Sequence, residues 1–232
     1  MSVVLTKGQT VDLTKGKQSL TQINMCLGWN PMKRGQKLFR TEMVDEVVRE
    51  PKSGFLANLL GLTEKKVVPR EKQVEIQTSN YEMDIDASVM FLENGKLVKN
   101  TDVVYFGRQE SLCGSIVHSG DNLTGSGSGD DEVIQVFLPQ VPSRVDRIVF
   151  FVNIYQCTSR GQHFGMVEDA YIRIENPTNK QELARFNLTD DYSKQTAIIC
   201  GELVREAGDW KFKALGTGSK DTSISEITAR YK

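Results

Sequence analysis

The sequence predicts an all-β protein, a β-sandwich of two packed, mostly antiparallel sheets with few short helices. Short runs of alternating apolar and polar residues recur along the chain, and turn residues separate them. The length of 232 residues, 39% of them hydrophobic, is enough for one large core. We therefore treat residues 1–232 as a single domain with an insertion at about residues 31–75.

The N-terminal part contains a short repeat, Leu5-Thr-Lys-Gly8 and Leu13-Thr-Lys-Gly16. Each Lys-Gly ends a brief alternating run, which predicts two strands separated by turns, and a third strand is predicted at Ile23–Trp29. Residues 31–75 differ in character, because they hold three of the six prolines and a basic patch. Their apolar run Phe55–Leu62 is either a short amphipathic helix or the anchor of a loop. We interpret the segment as a surface insertion, with a partner- or membrane-binding segment as the alternative.

Strand patterns become dense after residue 74. Asn94-Gly95 between two alternating runs predicts a hairpin turn. The predicted strands are Val74–Gln77, Ile85–Leu92, Leu97–Phe106, Ile116–His118, Val133–Leu138, Arg147–Tyr155, Ala170–Glu175, Glu182–Leu188, Thr196–Val204 and Trp210–Leu215. Helical patterns are found at Ser143–Arg147 and Ser223–Tyr231.

Charge and composition argue against several classes of function. The net charge is −1 and the basic residues are dispersed, so we expect no binding of nucleic acid. No signal-peptide pattern and no apolar run of about 20 residues is present, so we expect no membrane span. The four cysteines are far apart and form no CxxC pair, which predicts reduced thiols in a cytoplasmic protein.

The segment 120–132 reads Gly-Asp-Asn-Leu-Thr-Gly-Ser-Gly-Ser-Gly-Asp-Asp-Glu. Glycine-rich loops that bind phosphate are usually accompanied by a lysine, whereas this loop ends in Asp130, Asp131 and Glu132. A loop that concentrates oxygen atoms and negative charge suits a hard cation. Ca²⁺, which takes six to eight oxygen ligands in irregular geometry, is the natural candidate.

A second acidic feature is the pair Asp84 and Asp86 on a predicted strand. Residues two apart on a strand point to the same face, so both carboxylates lie together. Two such charges repel each other unless a cation lies between them, and a water-facing polar sheet face is the alternative interpretation of the pair alone. Together with the acidic loop, the pair predicts a calcium site that has no EF-hand sequence.

A catalytic site is not predicted. His118 and His163 are the only histidines, and neither has a nucleophile at a known spacing. Two aspartates serve as acid and base in some glycosidases, but carboxylates crowded beside glycines are more typical of ligands. We expect a protein that is not an enzyme.

Several short motifs occur in a fixed order along almost the whole chain. They are Leu5-Thr-Lys-Gly8 with Leu13-Thr-Lys15, Leu27-Gly-Trp29, Asp84-Ile-Asp-Ala-Ser88, Gly120-Asp-Asn-Leu-Thr-Gly125 with Gly129-Asp-Asp-Glu132, Ile148-Val-Phe-Phe-Val-Asn-Ile-Tyr155, Ala170-Tyr-Ile-Arg173, Gly201-Glu-Leu-Val-Arg205 and Trp210-Lys-Phe-Lys-Ala214. In order and spacing they resemble the TerD family, the tellurite-resistance and stress-response proteins of bacteria.

The resemblance implies a β-sandwich that binds one or two Ca²⁺ ions. The implied side-chain ligands are Asp84, Asp86, Asp121, Asn122, Asp130, Asp131 and Glu132, with Thr124 and Gly125 as carbonyl donors. It also implies a non-enzymatic role in tellurite and chemical-stress resistance, phage defence and colicin tolerance. Members act in the cytoplasm beside other Ter proteins, including a membrane-embedded one, which would bring the chain to the inner membrane. A small-ligand module that binds a cyclic nucleotide-like molecule is the alternative.

Three departures from the family pattern concern the same site. Asn30 stands where the family usually has Asp, and Ser126 and Ser128 stand where it usually has acidic residues. Each change removes a negative charge, so we predict weaker calcium binding and one retained ion where relatives hold two. The insertion at 31–75, where typical members have a brief loop, is predicted to cover the site or to add a partner surface.

Overall fold

The computed structural model describes residues 2–15, 20–31, 38–51, 53, 63–76, 83–123, 129–188 and 192–232. They form two compact units, one made of Met1–Met32 with Glu82–Lys232 and the other of Lys33–Tyr81. No helix among the described residues is long and apolar enough to cross a membrane.

The first unit contains twelve strands within its described residues. They are β1 (Val3–Val4), β2 (Thr10–Asp12), β3 (Gln22–Pro31), β6 (Ile85–Leu92), β7 (Val103–Val104), β8 (Ile116–His118), β9 (Glu132–Phe137), β10 (Arg147–Ile154), β11 (Val167–Asn176), β12 (Gln181–Asn187), β13 (Ala197–Glu206) and β14 (Asp209–Ser219). One sheet has the order β1-β12-β11-β3-β9-β8 and the other β2-β14-β13-β10-β6-β7. Every named pairing is antiparallel except that of β1 with β12. The predicted fold class is confirmed.

Burial explains why some strands alternate and others are continuously apolar. In β9 and β14 buried and partly exposed residues alternate, so one face of each strand packs in the core. In β6 all eight residues are buried. Its second face is covered as well, because Met90 and Leu92 pack in one cluster with Leu97 and with Ile227 of a C-terminal helix.

Two short α-helices accompany the sheets: α1 (Cys157–Arg160) and α2 (Ile224–Ala229). The Ser223 hydroxyl caps α2 by accepting a hydrogen bond from the Glu226 backbone N–H, which confirms the helical pattern at Ser223–Tyr231. The predicted helix at Ser143–Arg147 is wrong. That segment is a turn in which the Val145 N–H bonds the Pro142 carbonyl, followed by the first residue of β10.

The hairpin turn at Asn94-Gly95 is confirmed, since both residues have positive φ (54° and 77°) and Glu93 and Lys96 pair across them. The strand predicted over Leu97–Phe106 is wrong for most of its length. The Leu97 N–H bonds the Tyr231 carbonyl, and a 3₁₀ turn at Asn100–Asp102 leaves only the two residues of β7 to pair with β6. The first two predicted strands are present as β1 and β2, each of which lies a few residues before its Lys-Gly.

The second unit is a two-stranded antiparallel sheet of β4 (Leu38–Pro51) and β5 (Thr63–Ile76), paired along their full length. The sequence predicted strand structure there only at Val74–Gln77. A two-stranded ribbon has no buried face of its own, and Val47 and Val67 are exposed, so the alternation that reveals core strands is weak. The run Phe55–Leu62 lies outside the described residues, and the assignment of 31–75 as an insertion stays a prediction.

Candidate metal centre

Asp84 and Asp86 lie at the start of β6, at one end of the second sheet. Asp86 pairs directly with Asn153 of β10, and the Asp84 carbonyl accepts a hydrogen bond of 2.9 Å from the Tyr155 N–H. The two residues are only 4% and 2% exposed. The alternative that both carboxylates simply face water is therefore wrong.

Asp121, from the loop after β8, joins the pair to form an acidic cluster. One carboxylate oxygen from each of Asp84, Asp86 and Asp121 lies within 4.8 Å of the others, and Asp121 is exposed. Oxygens that share one Ca²⁺ at 2.3–2.6 Å lie at most about 5 Å apart. The spacing of the acidic cluster therefore suits a single ion.

Burial and mutual repulsion oppose ionisation of the acidic cluster. Burial, and then the charge of Asp121, raises the pKa of Asp84 to about 6, although Arg160 opposes this. Burial, followed by the charges of Asp84 and Asp121, raises the pKa of Asp86 to about 8, and a hydrogen bond from Asn153 acts in the opposite direction. A cation at the cluster would remove the repulsion and favour the ionised carboxylates.

The oxygen atoms of the acidic cluster are also chemically suited to a cation. The Asp84 Oδ1 atom is buried and accepts no hydrogen bond from any residue that the structure describes. Three carboxylates offer hard oxygen ligands, which is the chemistry of Ca²⁺ and Mg²⁺ sites. The residues present fit a divalent cation held by Asp84, Asp86 and Asp121.

Glu132, the first residue of β9, is fully buried and joins the acidic loop to β6. Its Oε2 accepts a hydrogen bond of 2.7 Å from the Ala87 N–H, and its Oε1 accepts one of 3.2 Å from the Asn122 N–H. Burial raises the Glu132 pKa to about 8, with further contributions from Asp86 and Asp121. Glu132 therefore holds the acidic loop against β6, and it is not itself one of the three residues of the acidic cluster.

His118, which the sequence analysis set aside, holds the same edge of β6. Its Nδ1 accepts a hydrogen bond of 3.0 Å from the Gly120 N–H, so its Nε2 carries the proton and donates to the Ala87 carbonyl at 3.0 Å. Burial lowers the His118 pKa, which favours this neutral form. A histidine three residues before Asp121 was the only sequence signal for this role.

Asn122 and Asp131 attach the acidic loop to β3. The Asp131 Oδ2 accepts a hydrogen bond of 2.9 Å from the Trp29 N–H, and its Oδ1 accepts one of 3.0 Å from Asn122 Nδ2. Asn30, the first of the three departures, donates instead to Asp169 Oδ2 at 3.2 Å. Asn122 and Asp131 thus lie beside the acidic cluster, as parts of its frame.

The structure does not bring Asp130 into the acidic cluster. Its Oδ1 accepts hydrogen bonds from Arg173 Nε at 2.8 Å and from the Tyr171 hydroxyl at 3.1 Å. Burial alone would raise the Asp130 pKa, but the bond and charge of Arg173 outweigh it and the pKa is lowered. Thr124, Gly125, Ser126 and Ser128 lie outside the described residues, so their predicted roles stay predictions.

Comparison with known proteins identifies the family. The TerD domain family model matches residues 1–231. The chain is 39% identical over 231 residues to stress response protein SCP2 of Bacillus subtilis (strain 168), covering 100% of both chains. It is 34% identical over 232 residues to tellurium resistance protein TerD of Serratia marcescens, covering 100% of this chain and 97% of the relative.

Solved structures show the same fold at lower identity. A crystal structure of SAV2460, a protein of unknown function, superposes with a TM-score of 0.58 at 21% identity, covering 90% of this chain and 95% of that one. SCO6318 of Streptomyces coelicolor A3(2), a homologue of telluride resistance protein, also has a TM-score of 0.58, at 18% identity, with coverage of 92% and 98%. The fold, the order of the motifs and the full-length matches agree: the chain belongs to the TerD family.

Proposed function

We propose that this protein is a calcium-binding, non-enzymatic adaptor of a bacterial tellurite-resistance, chemical-stress and phage-defence system. The observation that carries the proposal is the acidic cluster of Asp84, Asp86 and Asp121, whose oxygens lie within 4.8 Å of one another. The relatives named for tellurium resistance and stress response supply the biological setting.

Calcium suits the acidic cluster better than magnesium. Asp121, which supplies the third carboxylate, is exposed and lies on a loop, so its oxygen can adjust to the longer and less regular bonds of a Ca²⁺ shell. Mg²⁺ demands near-ideal octahedral geometry at 2.0–2.1 Å, whereas Ca²⁺ accepts irregular shells with longer bonds. We therefore expect selectivity for calcium.

Calcium would act by joining the acidic loop to the second sheet. Without a cation the ionised carboxylates repel one another, and the bonds that the structure describes to His118 and Glu132 come from the neighbours of Asp121, Gly120 and Asn122. With a cation, Asp121 on the loop and Asp84 and Asp86 beside β6 become ligands of one ion. The ordered loop then forms a docking surface for other Ter-system proteins, including a membrane-embedded one, with the chain itself in the cytoplasm.

A binding role also agrees with the state of His118. Both of its ring nitrogens are already engaged, with Gly120 and with Ala87, and the ring is buried. A general base needs a ring nitrogen within reach of its substrate. This histidine therefore supports the frame of the site, and we assign it no proton-transfer role.

Calorimetric titration of chelator-stripped protein with Ca²⁺, with Mg²⁺ as comparison, tests the proposal. We expect calcium-selective binding of one ion per chain and a loss of affinity of at least about tenfold in Asp84→Asn. Asp12→Asn, which changes an exposed carboxylate of β2, is the matched control and should bind like the wild type. Absence of heat at millimolar calcium, or unchanged affinity in Asp84→Asn, would refute the assignment of the site.

A further inference from the structure

The ribbon of β4 and β5 has two faces, and its register assigns each side chain to one of them. Residues directly opposite each other on antiparallel strands point to the same side, as do residues two apart on one strand. One side, which we call the valine face, carries three directly opposed pairs: Asp45 with Pro69, Val47 with Val67, and Arg49 with Lys65.

The centre of the valine face is apolar and open to solvent. Val47 and Val67 are each 57% exposed, and Met43, which points to the same side of β4, is 65% exposed. Apolar side chains that are grouped on one face and bordered by charged residues are a feature of protein–protein contact surfaces.

Charged side chains border this centre, acidic towards one end of the ribbon and basic towards the other. Asp45 lies two residues before Val47, with Glu71 as its diagonal neighbour on β5. Arg49 lies two residues after Val47 and directly faces Lys65, so two like charges oppose each other there. None of these four charged side chains has an ion-pair partner among the residues that the structure describes.

The opposite face of the ribbon neutralises charges internally. Arg70 Nε lies 3.1 Å from a carboxylate oxygen of Glu46, and Lys66 Nζ lies 3.2 Å from one of Glu50. Both pairs join diagonal neighbours of β4 and β5. The two faces therefore differ, because the charges of the valine face are left for groups outside the ribbon.

The order acidic, apolar, basic makes the valine face complementary to itself. A two-fold axis that lies between two such faces, across the strands at the level of Val47 and Val67, reverses the strand direction of the second copy. The acidic end of each copy then meets the basic end of the other, and Asp45 faces Arg49 of the partner subunit. Asp45 and Arg49 cannot pair within one chain, because four residues of a strand span about 13 Å. An isologous contact of this kind is the commonest way in which identical chains associate.

We propose that the valine face binds the valine face of a second copy of this chain, with the strands of the two ribbons antiparallel. Each strand of the ribbon has 14 residues. A two-stranded face of that length offers about 500 Å² per copy, so the dimer buries about 1,000 Å², at the lower limit for a specific interface. We therefore expect a weak dimer with a Kd on the order of 100 µM. The proposal goes beyond the calcium function, because it concerns the second unit alone.

Sedimentation equilibrium of the full chain in chelator, from about 10 µM to about 1 mM, tests the proposal. We expect the average mass to rise with concentration, and high salt to weaken the association by screening the charges. Asp45→Arg and Arg49→Asp should each weaken the dimer at least about tenfold, because each places like charges at both contacts. Arg49→Asp gives Lys65 an opposite charge within the ribbon, so this loss cannot be assigned to a destabilised ribbon.

Exchange of the two charges tests the register of the dimer. The double variant Asp45→Arg/Arg49→Asp should restore the wild-type affinity, since each contact again joins opposite charges. An equimolar mixture of the two single variants should form a heterodimer, because one valine face is then basic at both ends and the other acidic. A double variant that remains monomeric under conditions in which the wild type is dimeric would refute the antiparallel arrangement.

A pair of matched variants locates the contact. Val47→Glu and Val44→Glu make the same change on the same strand but on opposite faces, and both side chains are exposed. We expect Val47→Glu to abolish the dimer and Val44→Glu to keep it. A wild type that is wholly monomeric at about 1 mM would overturn the inference and leave the valine face to a different protein. A dimer that Val47→Glu does not weaken would place the contact elsewhere, such as the strand edges, and would equally overturn it.

Discussion

The Asp86→Asn variant should stabilise the metal-free protein and remove its response to calcium. The pKa of Asp86 is raised from 3.8 to about 8, so the folded state holds the proton more tightly than the unfolded state. As pH rises from about 4 towards 8, the unfolded chain ionises first, and the free energy of unfolding falls. For this one group, which is almost fully buried, the loss between pH 4 and pH 7 is up to about 4 kcal/mol. Asparagine keeps the acceptor for Asn153 and has no proton to lose, so the variant escapes that loss.

Urea unfolding at pH 5, 6, 7 and 8, in chelator and in calcium, measures this effect. In chelator the wild type should become less stable as pH rises, and Asp86→Asn should become the more stable protein above about pH 6. In calcium the gap should narrow, because a ligand at 100 times its Kd adds about 2.7 kcal/mol to the wild type alone, against a loss of up to about 4 kcal/mol at pH 7. Asp12→Asn should follow the wild type in every condition. A wild type whose stability in chelator does not fall between pH 5 and pH 8 would refute the reasoning.

Two further predictions concern the surroundings of the site, and a third concerns the second sheet. Asp130→Asn, which removes the charge of one of the two carboxylates that pair with Arg173 (the other is Glu175), should cost about 1–3 kcal/mol in the free energy of unfolding and leave calcium affinity within about twofold in calorimetry. A large loss of affinity would instead make Asp130 a ligand. His118→Asn should weaken calcium binding about tenfold while keeping a stoichiometry of one, because His118 holds the acidic loop and substitutions of residues that orient metal ligands lower metal affinity by this amount. Unchanged affinity would contradict this role. Gly201→Ala should lower stability by about 1–3 kcal/mol in urea unfolding, because the new Cβ would lie 2.4 Å from the Phe212 ring and 2.7 Å from the Lys213 carbonyl; a variant as stable as the wild type would refute this steric argument.

Part of the site could be predicted from local sequence alone. The i, i+2 spacing of Asp84 and Asp86 placed both carboxylates on one face, and the strand there is observed. The pairing of Asp130 with Arg173 could not be predicted in this way. It spans 43 residues and depends on the register of β11 against β3. The local sequence shows which acidic residues lie close together along the chain. It does not show which of them pairs with a basic side chain that is distant in sequence, such as Arg173.

The strands of the fold also divide into those that the sequence predicted and those that it did not. Core strands such as Arg147–Ile154 were found because both faces are buried and the run Ile148–Val152 is continuously apolar. The ribbon of β4 and β5 was missed because the side chains described on it are mostly exposed, those of Val47 and Val67 included, so no apolar alternation marks its strands. Hydrophobic patterns therefore predict strands correctly where the side chains are buried and have to be apolar.

The short length of β7 explains why the acidic cluster lies where it does. β7 pairs with β6 only at Val89 and Met90, so the N–H and C=O of Ala87 lie beyond the end of that pairing. Glu132 accepts from that N–H and His118 donates to that C=O, so two side chains of the first sheet replace the backbone bonds of a longer strand. Both residues also bond the backbone of the acidic loop, at Asn122 and Gly120. The same contacts that complete the edge of β6 therefore hold the loop that carries Asp121 beside Asp84 and Asp86, and a cation bound there would tie together the two sheets of the sandwich.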